Sequence, residues 1–216
     1  MKFKSIASIC KSKKTITVYD QPSKSGCRAE QWIGDGFAAY TTAGLPYLEE
    51  ENIYAIFDIS EKQRSKFIYN GRSLPKRICF DDHQDGEKLI EASNISIIHA
   101  GCVIKAFQTS KGIIFVDSQY LAPLSDRLST LEFYQRETPD GLLYIVAKLG
   151  LIIQSIIMPF DCINEKFLDN LTDFAAGCRT SLSNKESISQ AEGTSLFERY
   201  FGQCTIEEEG DEENDN

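Results

Sequence analysis

Apolar side chains recur along this chain with two different periods, and the changes of period predict its helices and strands. Residues 3–11 carry apolar groups three or four positions apart, which is typical of a helix with one buried face. Residues 15–19 alternate and are β-branched, which favours a strand. An Asp-Gly pair between apolar runs predicts a hairpin over residues 31–40. Three acids open a predicted helix at residues 49–57, because carboxylates stabilise the N-terminal end of a helix.

The rest of the chain predicts mainly strands. A short helix is expected at residues 119–127, with Asp117 or Ser118 as its N-cap. Another helix is expected after Asn164, a suitable capping residue. The predicted strands occupy residues 67–69, 78–80, 95–98, 102–107, 112–116, 130–136, 142–147 and 150–157. Polar residues 81–88 are expected to connect the two halves.

Part of this pattern occurs twice. Residues 5–9 and 15–19 have counterparts 115 positions later, at residues 120–124 and 130–134. We therefore predict an α+β fold with antiparallel sheets and a duplicated helix-strand-hairpin-helix unit. The predicted organisation is an α+β subdomain at 1–88, a second at 89–180, and a Ser-rich linker, short aromatic segment and acidic tail at 181–216.

Charge is segregated along the chain. The net charge of -9 comes mostly from residues 207–216, which hold seven acids and no base. By contrast, five lysines precede the first acid, Asp20. Basic side chains on one element can bind phosphates with release of counterions, although the nearly neutral body argues against a strong general nucleic-acid binder. We predict DNA-backbone contacts, with a solvated helix face as the alternative, for Lys2, Lys4, Lys11, Lys13 and Lys14.

The C-terminal part predicts an interaction segment. A Ser-rich stretch at residues 181–194 precedes four apolar side chains on one face of a short predicted helix, and the acidic tail follows. This order is typical of a tethered peptide ligand that binds a protein partner. The residues concerned are Leu196, Phe197, Tyr200 and Phe201. The alternative is a last helix that packs on the protein's own core.

Residue types that carry catalysis or bind metals are sparse. The seven cysteines include no C-x-x-C pair, and there are only two histidines. The acids of residues 81–85 could hold a metal, and His99 with Cys102 could act as a base and a nucleophile, but a solvated loop and a structural histidine are favoured. We therefore predict no catalytic residue, no metal and no cofactor.

The composition predicts a cytoplasmic protein with reduced thiols. Lys11 interrupts the N-terminal apolar pattern, so no signal peptide is expected. The longest apolar stretch, residues 142–158, contains Lys148 and Gln154, and two buried strands fit it better than a membrane span.

Four segments resemble part of a DNA sliding clamp. They are residues 112–124 (GIIFVDSQYLAPL), 131–134 (LEFY), 144–146 (YIV) and 156–159 (IIMP). In that family a strand leads into a short helix with a Tyr-Leu pair and then into meandering strands that end in Met-Pro. The resemblance implies repeated β-α-β-β-β units and inner helices that face DNA without reading its sequence. The general character of the sequence also resembles that of uncharacterised proteins of phages and mobile elements of Gram-positive bacteria.

Together these observations predict a non-catalytic, clamp-like scaffold or accessory protein of DNA metabolism. It is expected to bind the DNA backbone and protein partners, and to form homo-oligomers through sheet edges. The alternatives are a protein–protein interaction module that uses the C-terminal aromatic segment, and a small hydrolase or transferase with an unrecognised site.

Overall fold

The computed structural model describes residues 1–21 and 30–192, with side chains described as far as residue 187. Its helices are α1 (Phe3–Lys13), α2 (Glu50–Ile56), α3 (Glu61–Arg64), a 3₁₀ helix (Ser118–Leu124) and α4 (Glu165–Glu192). Its strands are β1 (Thr15–Gln21), β2 (Glu30–Gly34), β3 (Ala38–Thr41), β4 (Ile68–Ser73), β5 (Lys88–His99), β6 (Cys102–Thr109), β7 (Gly112–Asp117), β8 (Leu131–Glu137), β9 (Leu143–Leu149) and β10 (Ile152–Ile157).

The strands form one ten-stranded sheet in the order β4-β1-β2-β3-β10-β9-β8-β5-β6-β7. β1 and β4 are parallel, and the other described neighbours are antiparallel. The predicted α+β class is therefore confirmed, with one large and mostly antiparallel sheet. β3 and β10, the fourth and fifth strands, pair with each other. On one side of this junction lie β1–β3, which follow α1 in the chain, and on the other lie β8–β10, which follow the 3₁₀ helix.

The chain divides into two compact units, residues 1–161 and 162–216. The first unit contains the whole sheet together with α1, α2, α3 and the 3₁₀ helix. The described part of the second unit contains α4. The predicted subdomain boundary at residue 88 stays a prediction. None of the described helices combines the length and apolar character needed to cross a membrane.

Helix α4 begins where the sequence predicts it. The Asn164 side-chain oxygen accepts a hydrogen bond from the backbone N–H of Phe167 at 3.0 Å, which confirms Asn164 as the cap. The end of α4 differs from the prediction, because residues 181–192 are helical and do not form a linker. The hydroxyls of Ser181 and Ser187 donate to carbonyls four residues earlier, so these side chains are accommodated within the helix.

The two faces of the sheet bury different sets of side chains, as strand alternation requires. On one face, Ile33 and Tyr40 belong to a large cluster that includes the buried sides of α1, α2 and the 3₁₀ helix. On the other face a smaller cluster contains Trp32, Ala39, Phe80, Tyr144, Val146, Ile153 and Ile156. The main core therefore lies between the sheet and a helical layer that includes α1, the helix with the predicted DNA contacts.

The predicted hairpin is confirmed as β2 and β3. Its turn requires glycine at positions 34 and 36. The Asp35 carboxylate accepts hydrogen bonds from the backbone N–H groups of Phe37 at 3.0 Å and Ala38 at 3.1 Å. Gly36 adopts a φ of 96°, which favours glycine. A Cβ atom at Gly34 would lie 1.7 Å from the carbonyl oxygen of Ala38. This turn therefore depends on two glycines and one carboxylate.

The predicted strand at residues 78–80 is wrong. The backbone there bonds to side chains of the sheet: the N–H of Cys79 donates to the Tyr144 hydroxyl at 3.1 Å. The buried Arg136 guanidinium donates to the carbonyl oxygens of Cys79, Asp81 and Asp82. Because these groups are satisfied by side chains, the segment packs over the sheet as a loop.

The predicted helix at residues 119–127 is a 3₁₀ helix that ends at Leu124. Its N-cap is Asp117, one of the two residues predicted for this position. The Asp117 carboxylate accepts a hydrogen bond from the backbone N–H of Gln119 at 3.0 Å. Pro123 lies inside it and has no N–H to donate, which disfavours a longer α-helix.

Candidate nucleic-acid interface

Helix α1 buries one face against the core and carries basic side chains on its exposed surface. Ile6, Ala7, Ile9 and Cys10 are buried. All five predicted DNA contacts, Lys2, Lys4, Lys11, Lys13 and Lys14, are exposed. Lys4 and Lys11 are seven residues apart and therefore share one side of the helix, whereas Lys13 and Lys14 lie at its C-terminal turn. Exposed lysines therefore occur along one side of α1 and at its C-terminal turn.

The N-terminal end of α1 is fixed to the end of the 3₁₀ helix and to the residues that follow it. The backbone N–H of Lys2 donates to the carbonyl of Pro123 at 2.8 Å, and the Lys2 amino group donates to Ser125 Oγ at 2.7 Å. The terminal ammonium group lies 3.2 Å from the Asp126 carboxylate, and this hydrogen bond lowers the pKa of Asp126. Positive charge at this end of the helix is therefore partly neutralised.

The C-terminal end of α1 is better placed to bind an anion. Lys14 adopts a φ of 52° and its carbonyl accepts a hydrogen bond from the N–H of Ile68 at 2.9 Å, which ties the turn to β4. Lys11 and Lys14 line an open depression together with Lys66 and Gln63. Its apolar wall is provided by Ile59 and Phe67. Three lysine side chains therefore line one concave surface.

Lys66 belongs to this surface although sequence reasoning did not identify it. It lies more than 50 positions beyond Lys11 and Lys14 in the chain. The parallel pairing of β1 with β4, with Thr15 opposite Ile68, brings the start of β4 beside the end of α1. A long-range strand pairing of this kind leaves no local sequence signal.

Most of the lysines on this surface have no acidic neighbour among the described residues. Within residues 1–21 and 30–187, no carboxylate lies within 4 Å of the amino groups of Lys4, Lys11, Lys13 or Lys14. Lys111 differs, because its amino group lies 2.7 Å from the Glu137 carboxylate. The α1 surface is therefore a local concentration of positive charge on a nearly neutral body.

A buried polar cluster holds the helical layer against the sheet. The Tyr120 hydroxyl donates to the Asp35 carboxylate at 2.8 Å, and the Tyr40 hydroxyl donates to the carbonyl of Tyr120 at 2.8 Å. Burial, reinforced by Asp35, raises the pKa of both tyrosines well above the ordinary value. Burial also raises the pKa of the Cys10 thiol to about 12. These groups stay protonated at neutral pH, so they hold the structure together and do not provide a nucleophile.

An ionic cluster stabilises the opposite face of the sheet. Glu87 accepts hydrogen bonds from Arg136, at 2.8 Å from Nε, and from the amino group of Lys148. Burial alone would raise the pKa of Glu87, but the hydrogen bonds from Lys148 and Arg136 outweigh it and lower the pKa. The Lys148 amino group also lies 4.4 Å from the centre of the Tyr134 ring. Because Arg136 also donates to carbonyl oxygens of residues 79–82, this cluster holds that loop over the smaller hydrophobic cluster.

The residues of the alternative metal and catalytic sites lie in the loop before β5 and at the turn between β5 and β6. Within the part of the chain that the structure describes, no group of three or more His, Cys, Asp or Glu side chains could hold a metal ion. The backbone N–H of Ile153 donates to the Asp82 carboxylate at 3.0 Å, so this acid has a structural role. His99 and Cys102 are paired residues of β5 and β6, and the His99 ring packs near Phe160.

The predicted partner-binding residues Leu196, Phe197, Tyr200 and Phe201 lie outside the described residues. Comparison of the chain with protein-family models, with curated proteins and with solved structures gives no match in any of the three.

Proposed function

We propose that the protein is a non-catalytic, clamp-like scaffold that binds the DNA backbone without reading its sequence. The observation that carries the proposal is the cluster of exposed amino groups on α1 and its C-terminal turn, where Lys11 and Lys14 join Lys66 around one depression. Lysine amino groups bind phosphates mainly by charge and by counterion release. Such contacts position a protein on DNA and carry no base specificity.

The clamp-like part of the proposal rests on the internal duplication. Val18 pairs with Ile33 between β1 and β2. The residue 115 positions after Val18 is Phe133, which pairs with Ala147 between β8 and β9. The same offset relates the first residue of α1, Phe3, to the first residue of the 3₁₀ helix, Ser118. Ala147 is 114 positions after Ile33, so these corresponding residues of the two halves are 114 or 115 positions apart.

The pairing of β3 with β10 provides a separate argument for two related copies. Tyr40 of β3 pairs with Ser155 of β10 in the antiparallel register, and these two residues are 115 positions apart. A two-fold axis that exchanged the copies at this offset would pass through that pair. We therefore propose that residues 3–41 and 118–157 are two copies of one helix-plus-three-strands unit. β4 and β7 end the strand order, so pairing between molecules in a homo-oligomer would add strands there.

The experiment compares two triple charge reversals that change the net charge equally. In the test variant Lys11, Lys14 and Lys66 are replaced by glutamate, and in the control variant Lys76, Lys88 and Lys166, which are also exposed, are replaced by glutamate. Binding to a fluorescent DNA duplex is measured by anisotropy over a range of salt concentrations. We expect the test variant to lose binding and the slope of log K against log salt to fall by about two to three, since each phosphate contact contributes about 0.9.

Three results would overturn the proposal. The first is a wild-type protein that does not bind DNA at low salt. The second is a test variant that binds as tightly as the wild type. The third is an equal loss in both variants, because it would reflect net charge and not the α1 surface. Duplexes of unrelated sequence should bind with similar affinity.

A further inference from the structure

Helix α4 exposes apolar side chains in the part where its side chains are described. It spans 28 residues, and every side chain from Thr172 to Ser187 is exposed. Large apolar groups are among them: Phe174 is 72% exposed and Leu182 is 57% exposed. Single exposed apolar residues are common on protein surfaces, but Phe174, Cys178 and Leu182 are all exposed and lie four residues apart on one side of this helix, which favours an interaction surface.

The composition of this part of α4 gives a second reason to expect a packing partner. Residues 172–187 include seven residues that are weak helix formers, namely Thr172, Gly177, Thr180, Ser181, Ser183, Asn184 and Ser187. Isolated helices of this length are marginally stable in water even when they are rich in alanine. A helix with this sequence therefore needs burial of its apolar face to be stable.

The exposed face is arranged symmetrically about Cys178. Phe174 and Leu182 lie four residues before and after it, and Leu171 and Lys185 lie seven residues before and after it. Residues at these spacings share one side of an α-helix. The small side chains of Gly177 and Ser181 lie beside this row and line a depression together with Phe174 and Leu182. The depression has room for a large side chain from another helix.

We propose that this face binds the same face of α4 from a second copy of the chain, in antiparallel orientation and centred on Cys178. In that register Phe174 of each copy packs against Leu182 of the other and fills its depression. Leu171 packs against the methylene groups of Lys185. The same surface of each copy is thus buried by the other copy, as a two-fold interface requires.

The charges of α4 select the antiparallel orientation. Residues 165–173 carry three acids and one base, whereas residues 179–187 carry two bases and one acid. An antiparallel pair sets the acidic half of each helix beside the basic half of the other, and it also opposes the helix dipoles. A parallel pair would instead place the acidic half of each helix beside the acidic half of the other, where like charges repel.

The size of the interface predicts weak association. The exposed part of the helix extends for about 24 Å at a rise of about 1.5 Å per residue. A single pair of helices of this length buries less area than a standard protein–protein interface. We therefore expect a dimer that forms in a concentration-dependent way and dissociates on dilution.

The first experiment measures solution mass against concentration by sedimentation equilibrium, in the absence of DNA. We expect the wild type to form dimers as its concentration rises, and Phe174→Ser to weaken dimerisation at least tenfold. Leu151→Ser is the matched control, since Leu151 is an exposed apolar residue in the turn between β9 and β10. Circular dichroism shows whether each variant keeps its helix content when dilute.

The second experiment tests the orientation by cross-linking in a Cys178→Ser background. Leu171→Cys and Lys185→Cys proteins are mixed, oxidised with diamide and analysed by peptide mass spectrometry. The antiparallel pair predicts a disulfide between residue 171 of one copy and residue 185 of the other. Disulfides that join only residue 171 to 171, or 185 to 185, would contradict the antiparallel arrangement.

A wild type that stays monomeric at all concentrations would overturn the proposal and leave another protein as the occupant of this face. Equal weakening by Phe174→Ser and Leu151→Ser would also overturn it. Because DNA is absent from both experiments, their results do not depend on the proposed DNA binding.

Discussion

The Tyr120 hydroxyl donates a hydrogen bond of 2.8 Å to the Asp35 carboxylate, across 85 positions of the chain. Tyr120 belongs to the 3₁₀ helix, and Asp35 shapes the turn between β2 and β3. Both side chains are buried in the described structure. This bond therefore joins the helical layer to the sheet at the junction of the two proposed copies.

Replacement of Tyr120 by phenylalanine should lower the free energy of unfolding by about 1–3 kcal/mol, because it removes the donor to a buried carboxylate oxygen. Urea denaturation provides the measurement. Tyr47→Phe is the control, since the Tyr47 hydroxyl donates to Asp20 at the exposed surface and its loss should cost less than about 0.5 kcal/mol. Equal effects of the two substitutions would show that the buried bond contributes nothing specific.

Local patterns in the sequence were sufficient to locate many elements of this fold. The helical spacing of Ile6, Ala7 and Cys10 predicted α1, and alternation predicted β1. The Asp-Gly pair at residues 35–36 predicted the β2–β3 hairpin. In each case the residues that determine the element are neighbours in the chain, so their pattern can be read without tertiary structure.

Features that depend on distant partners were missed. The apolar side chains of residues 78–80 predict a strand, whereas in the structure Arg136, more than 50 positions away, binds the carbonyl oxygens of Cys79, Asp81 and Asp82. Lys66 joined the α1 surface only through the parallel β1–β4 pairing. The linker prediction failed for residues 181–192 because serine disfavours a helix on average, although its hydroxyl can bond within one.

Replacement of Gly34 by alanine should destabilise the fold by about 1–3 kcal/mol, the usual range for an added methyl group in a packed site. The upper end is expected because the added Cβ would lie 1.7 Å from the backbone oxygen of Ala38, which cannot rotate away. Thermal or urea unfolding measures the change. Gly71→Ala is the matched control, since its nearest neighbour would be a Tyr69 ring carbon at an ordinary 3.7 Å. A stable Gly34→Ala protein would contradict the tight turn.

Replacement of Glu87 by glutamine should lower the free energy of unfolding by roughly 3–5 kcal/mol at neutral pH, because Arg136 and Lys148 would remain buried without a counter-charge. The hydrogen bonds from Lys148 and Arg136 outweigh burial and lower the pKa of Glu87 in the folded protein. A carboxyl group with a lowered folded pKa contributes its stability above the unfolded pKa, and this contribution is lost as the pH falls through the folded pKa.

The difference in stability between wild type and Glu87→Gln should therefore be constant near neutral pH and shrink as the pH falls below 4.5, the ordinary pKa of a glutamate. Urea denaturation at a series of pH values tests this dependence. Glu137→Gln is the control, because the Lys111–Glu137 pair is exposed and its loss should cost less than about 1 kcal/mol at any pH. A difference that stays constant to the lowest pH would show that Glu87 acts through packing and not through its charge.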